Sequence, residues 1–228
     1  MSDYSQSIQD YLKAIYSLSV SGGSAQTGDL AEALAVAPGS VSGMLRRLAE
    51  ADLVQHAAYR GVTLTDLGRS EALRVIRRHR VLETYLAQVL GWDWDAVHAE
   101  AERLEHAASD QLIDRMAKAL GDPRYDPHGE PIPTAEGDVE DLSLSPMSRV
   151  AVGAVGEVRQ VRDSDPDLLR YVASLGLRIG TRFEVLEAAP FNGPVTVRRL
   201  EDGARPQVVG FNVAQCLLSA TLASEVAL

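Results

Sequence analysis

The spacing of the hydrophobic residues changes near Val150, and this change constrains the fold more than any other feature. Before it, apolar residues recur at the three- and four-residue intervals of amphipathic helices, interrupted by one short hairpin-like segment. After it, apolar and polar residues alternate over segments 157–162, 182–186, 195–200 and 207–211, as in strands with one buried face. We expect a mainly α fold carrying a small C-terminal β-barrel of the five-strand type with one inserted helix.

The first 65 residues predict a winged helix-turn-helix. An amphipathic helix over 4–19 is followed by a short helix over 28–34, for which Thr27 is a candidate N-cap. Pro38 suits the first turn of a third helix that runs to residue 51. Segments 53–56 and 61–65 then pair as a hairpin, the wing, before a long helix capped near Thr65.

The third helix has the composition of a DNA-reading helix. Val41 and Leu45 face inward, which leaves small polar residues and arginines outside, where they approach base edges and phosphates. The predicted DNA-binding residues are Thr27, Pro38, Gly39, Ser40, Ser42, Gly43, Arg46, Arg47 and, at the tip of the wing, Arg60.

Charge is distributed unevenly along the chain. The net charge is −10, but segment 35–80 has eight arginines against four acidic residues, whereas segment 92–145 has fourteen acidic residues against four basic ones. A basic patch on an acidic protein is sufficient for phosphate contacts. The arginines between 74 and 80 are either part of that patch or a solvated helix face.

Cysteine content and hydropathy narrow the class of protein further. The single cysteine, Cys216, excludes an intramolecular disulfide and any cysteine-rich zinc site within one chain. No secretory signal and no apolar stretch of transmembrane length is recognisable, so we expect a cytoplasmic protein without a membrane partner.

Histidines and carboxylates recur at helical spacing in the middle of the chain. His79 and Glu83 are one turn apart, and a second set stands at i, i+4 and i+7 with one further neighbour. That second set is His98, Glu102, Glu105 and His106. On one helix, these four span an arc of about 100° and offer nitrogen and oxygen donors to one place. Beside a DNA-reading helix, such donors suggest a metal-sensing transcription factor.

Several segments together resemble the diphtheria-toxin-repressor (DtxR/MntR) family of iron- and manganese-dependent transcriptional regulators. The segments are 27–34 (TGDLAEAL), 38–48 (PGSVSGMLRRL), 59–65 (YRGVTLT), 78–83 (RHRVLE), 102–106 (ERLEH) and 177–181 (LRIGT). The resemblance implies a winged helix-turn-helix domain over 1–70 and a helical metal-binding and dimerisation domain over 71–146. It implies a Src-homology-3-like (FeoA-type) β-barrel over 147–228.

The resemblance also implies two neighbouring metal sites. The primary set is Asp10, Glu102, Glu105 and His106, and the second set is His79, Glu83 and His98, with Gln160 and Asp163 as added ligands from the β-barrel domain. The implied partners are a second copy of the chain and a double-stranded, palindromic DNA operator. The implied targets are genes of metal homeostasis, and no organic ligand is expected.

Two departures from the iron-type pattern favour manganese. Iron-type members have Met near the position of Asp10 and Cys near that of Glu102, whereas this chain has carboxylates at both. Oxygen donors in place of sulfur suit Mn(II). Manganese-type members often have a further acid on the first helix, and here the corresponding turn contains Lys13. We predict a Mn(II)-activated repressor of the manganese-type branch, with Fe(II) dependence as the alternative and other divalent metals as substitutes in vitro.

Other classes of function were weighed against this one. A carboxylate-bridged di-metal enzyme needs Glu-x-x-His motifs, but Ile76, Asp95 and Arg103 stand three residues before the three clustered histidines. We therefore expect no enzyme. A winged-helix regulator that senses an organic ligand, and a barrel that binds peptides, remain open. His56 and His128 are assigned no role.

Overall fold

The computed structural model describes residues 4–57, 61–162, 165–201 and 203–222. The chain forms two compact units. The first contains Met1–Leu82, Ala101–Ala119 and Ile132–Val139. The second contains Glu83–Glu100, Leu120–Pro131 and Glu140–Leu228.

The elements up to residue 119 are six helices and one hairpin among the described residues. The helices are α1 (Gln6–Gly22), α2 (Thr27–Ala33), α3 (Pro38–Glu50), α4 (Asp66–Gln88), α5 (Val97–Leu104) and α6 (Asp110–Ala119). The hairpin strands are β1 (Val54–Ala57) and β2 (Gly61–Leu64), which pair antiparallel from Val54 opposite Leu64. The winged helix-turn-helix predicted from the sequence is confirmed.

One hydrophobic core holds the first unit together. On α1 the apolar stripe places Leu12 and Ile15 in this core, as 3.6-residue periodicity requires. Val41, Leu45 and Leu48 bury the inner face of α3 against it. Fully burying one such aliphatic side chain is worth about 1.5–3 kcal/mol, so this stripe fixes which face of α3 points outward.

The beginning of α4 depends on a close contact that requires a glycine. The Thr65 hydroxyl caps the helix by accepting the Gly68 N–H at 3.0 Å, and it donates to the Asp52 carbonyl at 2.7 Å. A Cβ at Gly68 would stand 1.9 Å from the Leu53 carbonyl oxygen. The hydrogen bond from the Gly68 N–H to the Thr65 hydroxyl confirms the predicted cap at Thr65.

The second unit contains an antiparallel sheet of six strands in the order β3-β8-β4-β5-β6-β7. The strands are β3 (Ser145–Pro146), β4 (Val155–Val161), β5 (Arg182–Ala188), β6 (Val195–Arg199), β7 (Gln207–Val209) and β8 (Leu217–Leu222). Among the described residues after α6, the α-helices are α7 (Pro166–Ser174) and α8 (Phe211–Cys216), and a single 3-10 turn covers Met147–Arg149. Alternating residues such as Phe183, Val185 and Val197 form a separate core.

Three local expectations are corrected. Thr27 is the first residue of α2 and Gln26 is its N-cap, so Thr27 does not cap that helix. The helix expected to carry all of His98, Glu102, Glu105 and His106 runs only from Val97 to Leu104. The sheet has six strands and not the expected five. β3 and β8, which pair with each other, were not predicted because their sequences have no clear alternating pattern.

None of the helices in the described residues has the length and apolarity needed to cross a membrane.

Candidate metal centre and DNA-reading helix

Three of the four predicted primary-site residues meet in the first unit. Ligand atoms of Asp10, Glu105 and His106 all lie within 4.8 Å of one another. The Nε2 atom of His106 is 2.9 Å from Asp10 Oδ1 and 3.5 Å from Glu105 Oε1. Asp10 comes from α1, whereas Glu105 and His106 come from the turn after α5, so the cluster joins two segments far apart in sequence.

Gln9 determines which nitrogen of His106 faces this cluster. The Gln9 amide nitrogen donates to the Tyr4 carbonyl at 3.1 Å, which directs its amide oxygen towards His106. His106 Nδ1 lies 2.7 Å from that oxygen and must therefore be the protonated nitrogen. In the neutral ring Nε2 then has the lone pair, and this buried atom has no hydrogen-bond partner within the described part of the chain. A buried imidazole lone pair beside two carboxylates fits a divalent metal ion.

Burial and charge act differently on the two carboxylates of the cluster. Glu105 is fully buried. Burial works to raise the pKa of the Glu105 carboxyl, but the His79 hydrogen bond and the Lys13 charge outweigh it and hold that pKa below its ordinary value. Burial raises the pKa of the Asp10 carboxyl above its ordinary value. The site is thus a partly desolvated anionic pocket that a cation would stabilise.

A further group of donors, His79, Glu102 and Glu105, shares Glu105 with the cluster of Asp10, Glu105 and His106. Ligand atoms of His79, Glu102 and Glu105 lie within 4.8 Å of one another, and His79 Nδ1 is 2.5 Å from Glu105 Oε2. The Lys13 ammonium contacts Glu102 and lies 2.8 Å from Glu105 Oε1. Glu102, the fourth predicted primary-site residue, therefore lies with His79 and Glu105.

A separate donor cluster lies in the second unit. His98 Nδ1 is 3.1 Å from Glu83 Oε1, and the other Glu83 oxygen is 3.6 Å from His128 Nδ1. Ligand atoms of Glu83, Asp126 and His128 lie within 4.8 Å of one another, and all three residues are buried. Burial works against a charged His128, but Glu83 and Asp126 outweigh it and raise the pKa of this imidazole to about 9.

The loop that carries His128 is tightly fixed against β4. Asp126 Oδ1 accepts the backbone N–H groups of His128 and Glu130. Gly129 has a φ of 83°, and a Cβ there would stand 1.9 Å from the Arg159 carbonyl oxygen. Gln160, the neighbouring β4 residue, is buried and donates its amide to Glu130 at 3.1 Å. Its role as a ligand stays a prediction, and Asp163 lies outside the described residues.

The outer face of α3 is open, as predicted. Its exposed residues are Pro38, Gly39, Ser40, Ser42, Gly43, Arg46 and Arg47. A Cβ at Gly39 or Gly43 would meet no atom within 4 Å, so the fold itself does not need glycine there. Thr27 is half-buried at the start of α2, and Arg60 lies outside the described residues.

Comparison with known proteins decides the family. Models of the iron-dependent repressor match at residues 3–62 (N-terminal DNA-binding domain) and 65–134 (metal-binding and dimerisation domain), and a FeoA domain matches at 145–218. The iron-dependent repressor IdeR of Mycobacterium tuberculosis is 32% identical over 209 residues, which cover 86% of this chain and 90% of IdeR. The chain belongs to the diphtheria-toxin-repressor family.

Two further relatives agree with this assignment. The diphtheria toxin repressor of Corynebacterium diphtheriae is 30% identical over 197 residues, 82% of this chain and 87% of that protein. A solved manganese-dependent transcriptional repressor in complex with manganese is 41% identical, covers 94% of this chain and all of its own, and has a TM-score of 0.87. The chain is thus a metal-dependent transcriptional repressor with a DNA-binding and a dimerisation domain, and the enzyme alternative is set aside.

The structure of the repressor corrects two interpretations of its central segment. The predicted single helix face does not form, since Glu105 and His106 follow the end of α5 and His98 pairs with Glu83 in the second unit. His128 was assigned no role, yet it lies in the Glu83 cluster. The sequence offered no signal for His128, because a loop has no periodicity that would show where its side chains point.

The arginines of α4 hold helices together. Arg78 and Arg74 both bind Asp110 at the start of α6, at 2.8 Å and 2.6 Å. Arg77 binds Asp114 at 3.0 Å and donates to the Pro133 carbonyl. These contacts occupy the guanidinium groups, so the phosphate-binding interpretation of these three arginines is not supported.

Proposed function

We propose that the repressor is activated by Mn(II) and controls genes for manganese and iron transport. The observation that carries this proposal is the cluster of Asp10, Glu105 and His106, with an imidazole lone pair directed at two carboxylates. Its donors are oxygen and nitrogen without sulfur. Carboxylate oxygens suit Mn(II), whereas thiolate and thioether ligands select softer ions.

Fe(II) activation is the alternative within the same family. The similar proteins of Mycobacterium and Corynebacterium include one named iron-dependent, whereas the similar solved repressor is named manganese-dependent. Oxygen and imidazole donors also bind Fe(II), and intrinsic affinity favours both Fe(II) and Zn(II) over Mn(II). The choice must therefore be tested by titration with each metal.

The proposed mechanism uses the distance between two reading helices. Asp10, Glu105 and His106 would hold a divalent ion, which supplies the positive charge that links α1 to the turn after α5. In the dimer, two copies of α3 must stand about 34 Å apart to enter successive major grooves of a palindromic operator. Shifting the population from 1:99 to 99:1 in favour of that spacing needs about 5.5 kcal/mol of differential binding.

The remaining site assignments are part of the same proposal. We assign Glu102 to the first cluster and His79, Glu83 and His98 to a second, ancillary site, with Gln160 and Asp163 as added ligands. The proposed DNA contacts are those predicted on α2, α3 and the wing, including Thr27 and Arg60. The proposed domains are 1–70, 71–146 and 147–228, and the protein acts in the cytoplasm, where its operator lies.

Fluorescence anisotropy with the promoter of a metal-uptake operon from the source organism tests the proposal. The titrations use Mn(II), anaerobic Fe(II) and Zn(II), each against a chelator control at fixed salt, because phosphate contacts make affinity salt-dependent. We expect tight binding only with metal and with Mn(II) effective at micromolar concentration. Stronger activation by Fe(II) would favour the alternative, and equal binding in chelator would contradict metal activation and favour an organic-ligand sensor.

A further inference from the structure

Lys13 lies beside the carboxylates of Glu102 and Glu105, and it follows Asp10 by one helical turn on α1. Its ammonium is within hydrogen-bond reach of Glu102 and is 2.8 Å from Glu105 Oε1. The Lys13 side chain is 19% exposed, and Glu105 is fully buried. An exposed lysine pair is worth little and is easily displaced by solvent, but this ammonium bridges two carboxylates in a desolvated place.

Lys13 contacts two carboxylates that a second metal ion in this place would need as ligands. The set Asp10, Glu105 and His106 and the set His79, Glu102 and Glu105 share one carboxylate. Lys13 binds two members of the set His79, Glu102 and Glu105, and one of these, Glu105, is the carboxylate that the two sets share. This inference rests on the proposed function. We propose that the Lys13 ammonium takes the place of a second metal ion. The two sets together, which we call the Lys13 cluster, then bind a single divalent ion.

Charge balance supports a single ion. Asp10, Glu102 and Glu105 contribute three negative charges and Lys13 contributes one positive charge, so one divalent ion makes the cluster neutral. Two divalent ions beside Lys13 would leave a net charge of +2 in a partly buried place, which desolvation strongly disfavours. Replacing Lys13 by glutamate gives four carboxylates, which two divalent ions neutralise.

The contacts of the Lys13 ammonium are those of a hydrogen-bond donor. It lies within hydrogen-bond reach of Glu102 and 2.8 Å from Glu105 Oε1. A lysine that stays protonated has three donors and no lone pair, so it does not act as a metal ligand. It therefore competes with a second ion for Glu102.

The experiment counts Mn(II) per chain in variants that lack the His98 imidazole. His98→Ala removes one imidazole beside Glu83 in the second unit, and only ions that are coupled to each other through a shared carboxylate are assigned as a pair to the Lys13 cluster. Equilibrium dialysis against Mn(II) gives the number bound at saturation. Electron paramagnetic resonance of the bound Mn(II) distinguishes an isolated ion from two ions coupled through a shared carboxylate. Lys13→Glu, Lys13→Arg and Lys118→Glu are each combined with His98→Ala.

We expect one uncoupled ion in His98→Ala, in K13R/H98A and in K118E/H98A, where the exposed Lys118 is the only other lysine of the chain. We expect two coupled ions in K13E/H98A. Circular dichroism checks folding, and K13Q/H98A replaces the glutamate variant with the same expectation if that variant does not fold. Two coupled ions in His98→Ala alone, or a single uncoupled ion in folded K13E/H98A or K13Q/H98A, would overturn the inference.

The ion count and the proposed function fail separately. If His98→Ala and K13E/H98A give the expected counts but the unmodified protein has the same operator affinity in chelator, the proposed function is wrong and the role of Lys13 stands. If operator binding by the unmodified protein requires Mn(II) but K13E/H98A still takes a single uncoupled ion, the role of Lys13 is wrong and the proposed function stands.

Discussion

At the scale of single residues, Gln9 is the side chain that orients the ring of His106, which we propose as a metal ligand. Its amide oxygen accepts from Nδ1 and leaves the lone pair on Nε2. Loss of such an outer hydrogen bond typically costs 10- to 100-fold in metal affinity. We predict that Gln9→Leu lowers Mn(II) affinity by about this factor, measured by competition with a fluorescent chelator.

Gln6→Leu is the matched control for Gln9→Leu. Gln6 is exposed on the same helix, and we expect its replacement to leave Mn(II) affinity unchanged. Unaltered affinity in Gln9→Leu would mean that the orientation of His106 does not depend on this amide. A loss of affinity in both variants would point to α1 as a whole instead of this hydrogen bond.

His128 gives a prediction about pH in the presence of chelator. Its pKa is raised from an ordinary 6.5 to about 9, because Glu83 and Asp126 favour the protonated ring despite its burial. The added stability is therefore complete below pH 6.5 and is lost as the pH rises through 9. With each pKa unit worth about 1.4 kcal/mol, the free energy of unfolding should fall by roughly 2–3 kcal/mol across this range.

Chemical denaturation at a series of pH values measures this effect. His128→Gln keeps a hydrogen-bonding side chain but removes the titration, so we expect its free energy of unfolding to vary much less between pH 6.5 and 9. A parallel fall with pH in both proteins would show that a different group is responsible.

Individual residues of the site were predictable to different degrees. The proximity of Asp10, Glu105 and His106 was predictable because the family resemblance supplied the pairing between α1 and the turn after α5. Local spacing alone put His98 on the same face, which is wrong because α5 ends too early. Gln9 and His128 act through tertiary contacts that no helical or strand period encodes.

At the scale of elements, α3 combines a buried apolar stripe with an outer face of unusually small residues. Gly43 lies within this helix, and glycine there costs roughly 0.5–1 kcal/mol relative to alanine. Since a Cβ would meet open space, Gly43→Ala should stabilise the protein by about that amount. We also predict weaker operator binding, because the added methyl would stand between α3 and the base edges.

Thermal denaturation and operator anisotropy together test the role of Gly43. Ala49→Gly is the reciprocal control on the exposed face of α3, and it should lower stability by a similar amount without weakening operator binding. An unchanged operator affinity in Gly43→Ala would mean that this part of α3 does not approach the DNA.

Elements with strong periodicity were predictable, and short elements without it were not. The helices α1 and α3 were predictable from the spacing of their apolar residues and, for α3, from the proline at its start. The hairpin β1-β2 was predictable from two strand-like segments that are close together in the sequence. β3 consists of two residues and pairs with β8 across most of the domain, so no local pattern reveals it. Its position depends on the sheet and not on the propensity of Ser145 and Pro146.

At the scale of the whole molecule, we propose that one equilibrium links the metal cluster to the DNA-reading helix. Such a link is reciprocal, because any factor by which Mn(II) tightens operator binding must equal the factor by which the operator tightens Mn(II) binding. Asp10 contributes the α1 donor of the cluster, so its removal should abolish this coupling while leaving the core of the first unit intact.

The most direct measurement is the Mn(II) dissociation constant of the full-length dimer with and without operator DNA, at fixed salt. We predict that the operator tightens Mn(II) binding by about 5- to 150-fold in the unmodified protein and has no effect in Asp10→Ala. Glu136→Ala, which removes an exposed carboxylate of the first unit, should retain the full effect. Equal Mn(II) affinity with and without operator in the unmodified protein, or full coupling in Asp10→Ala, would contradict the account.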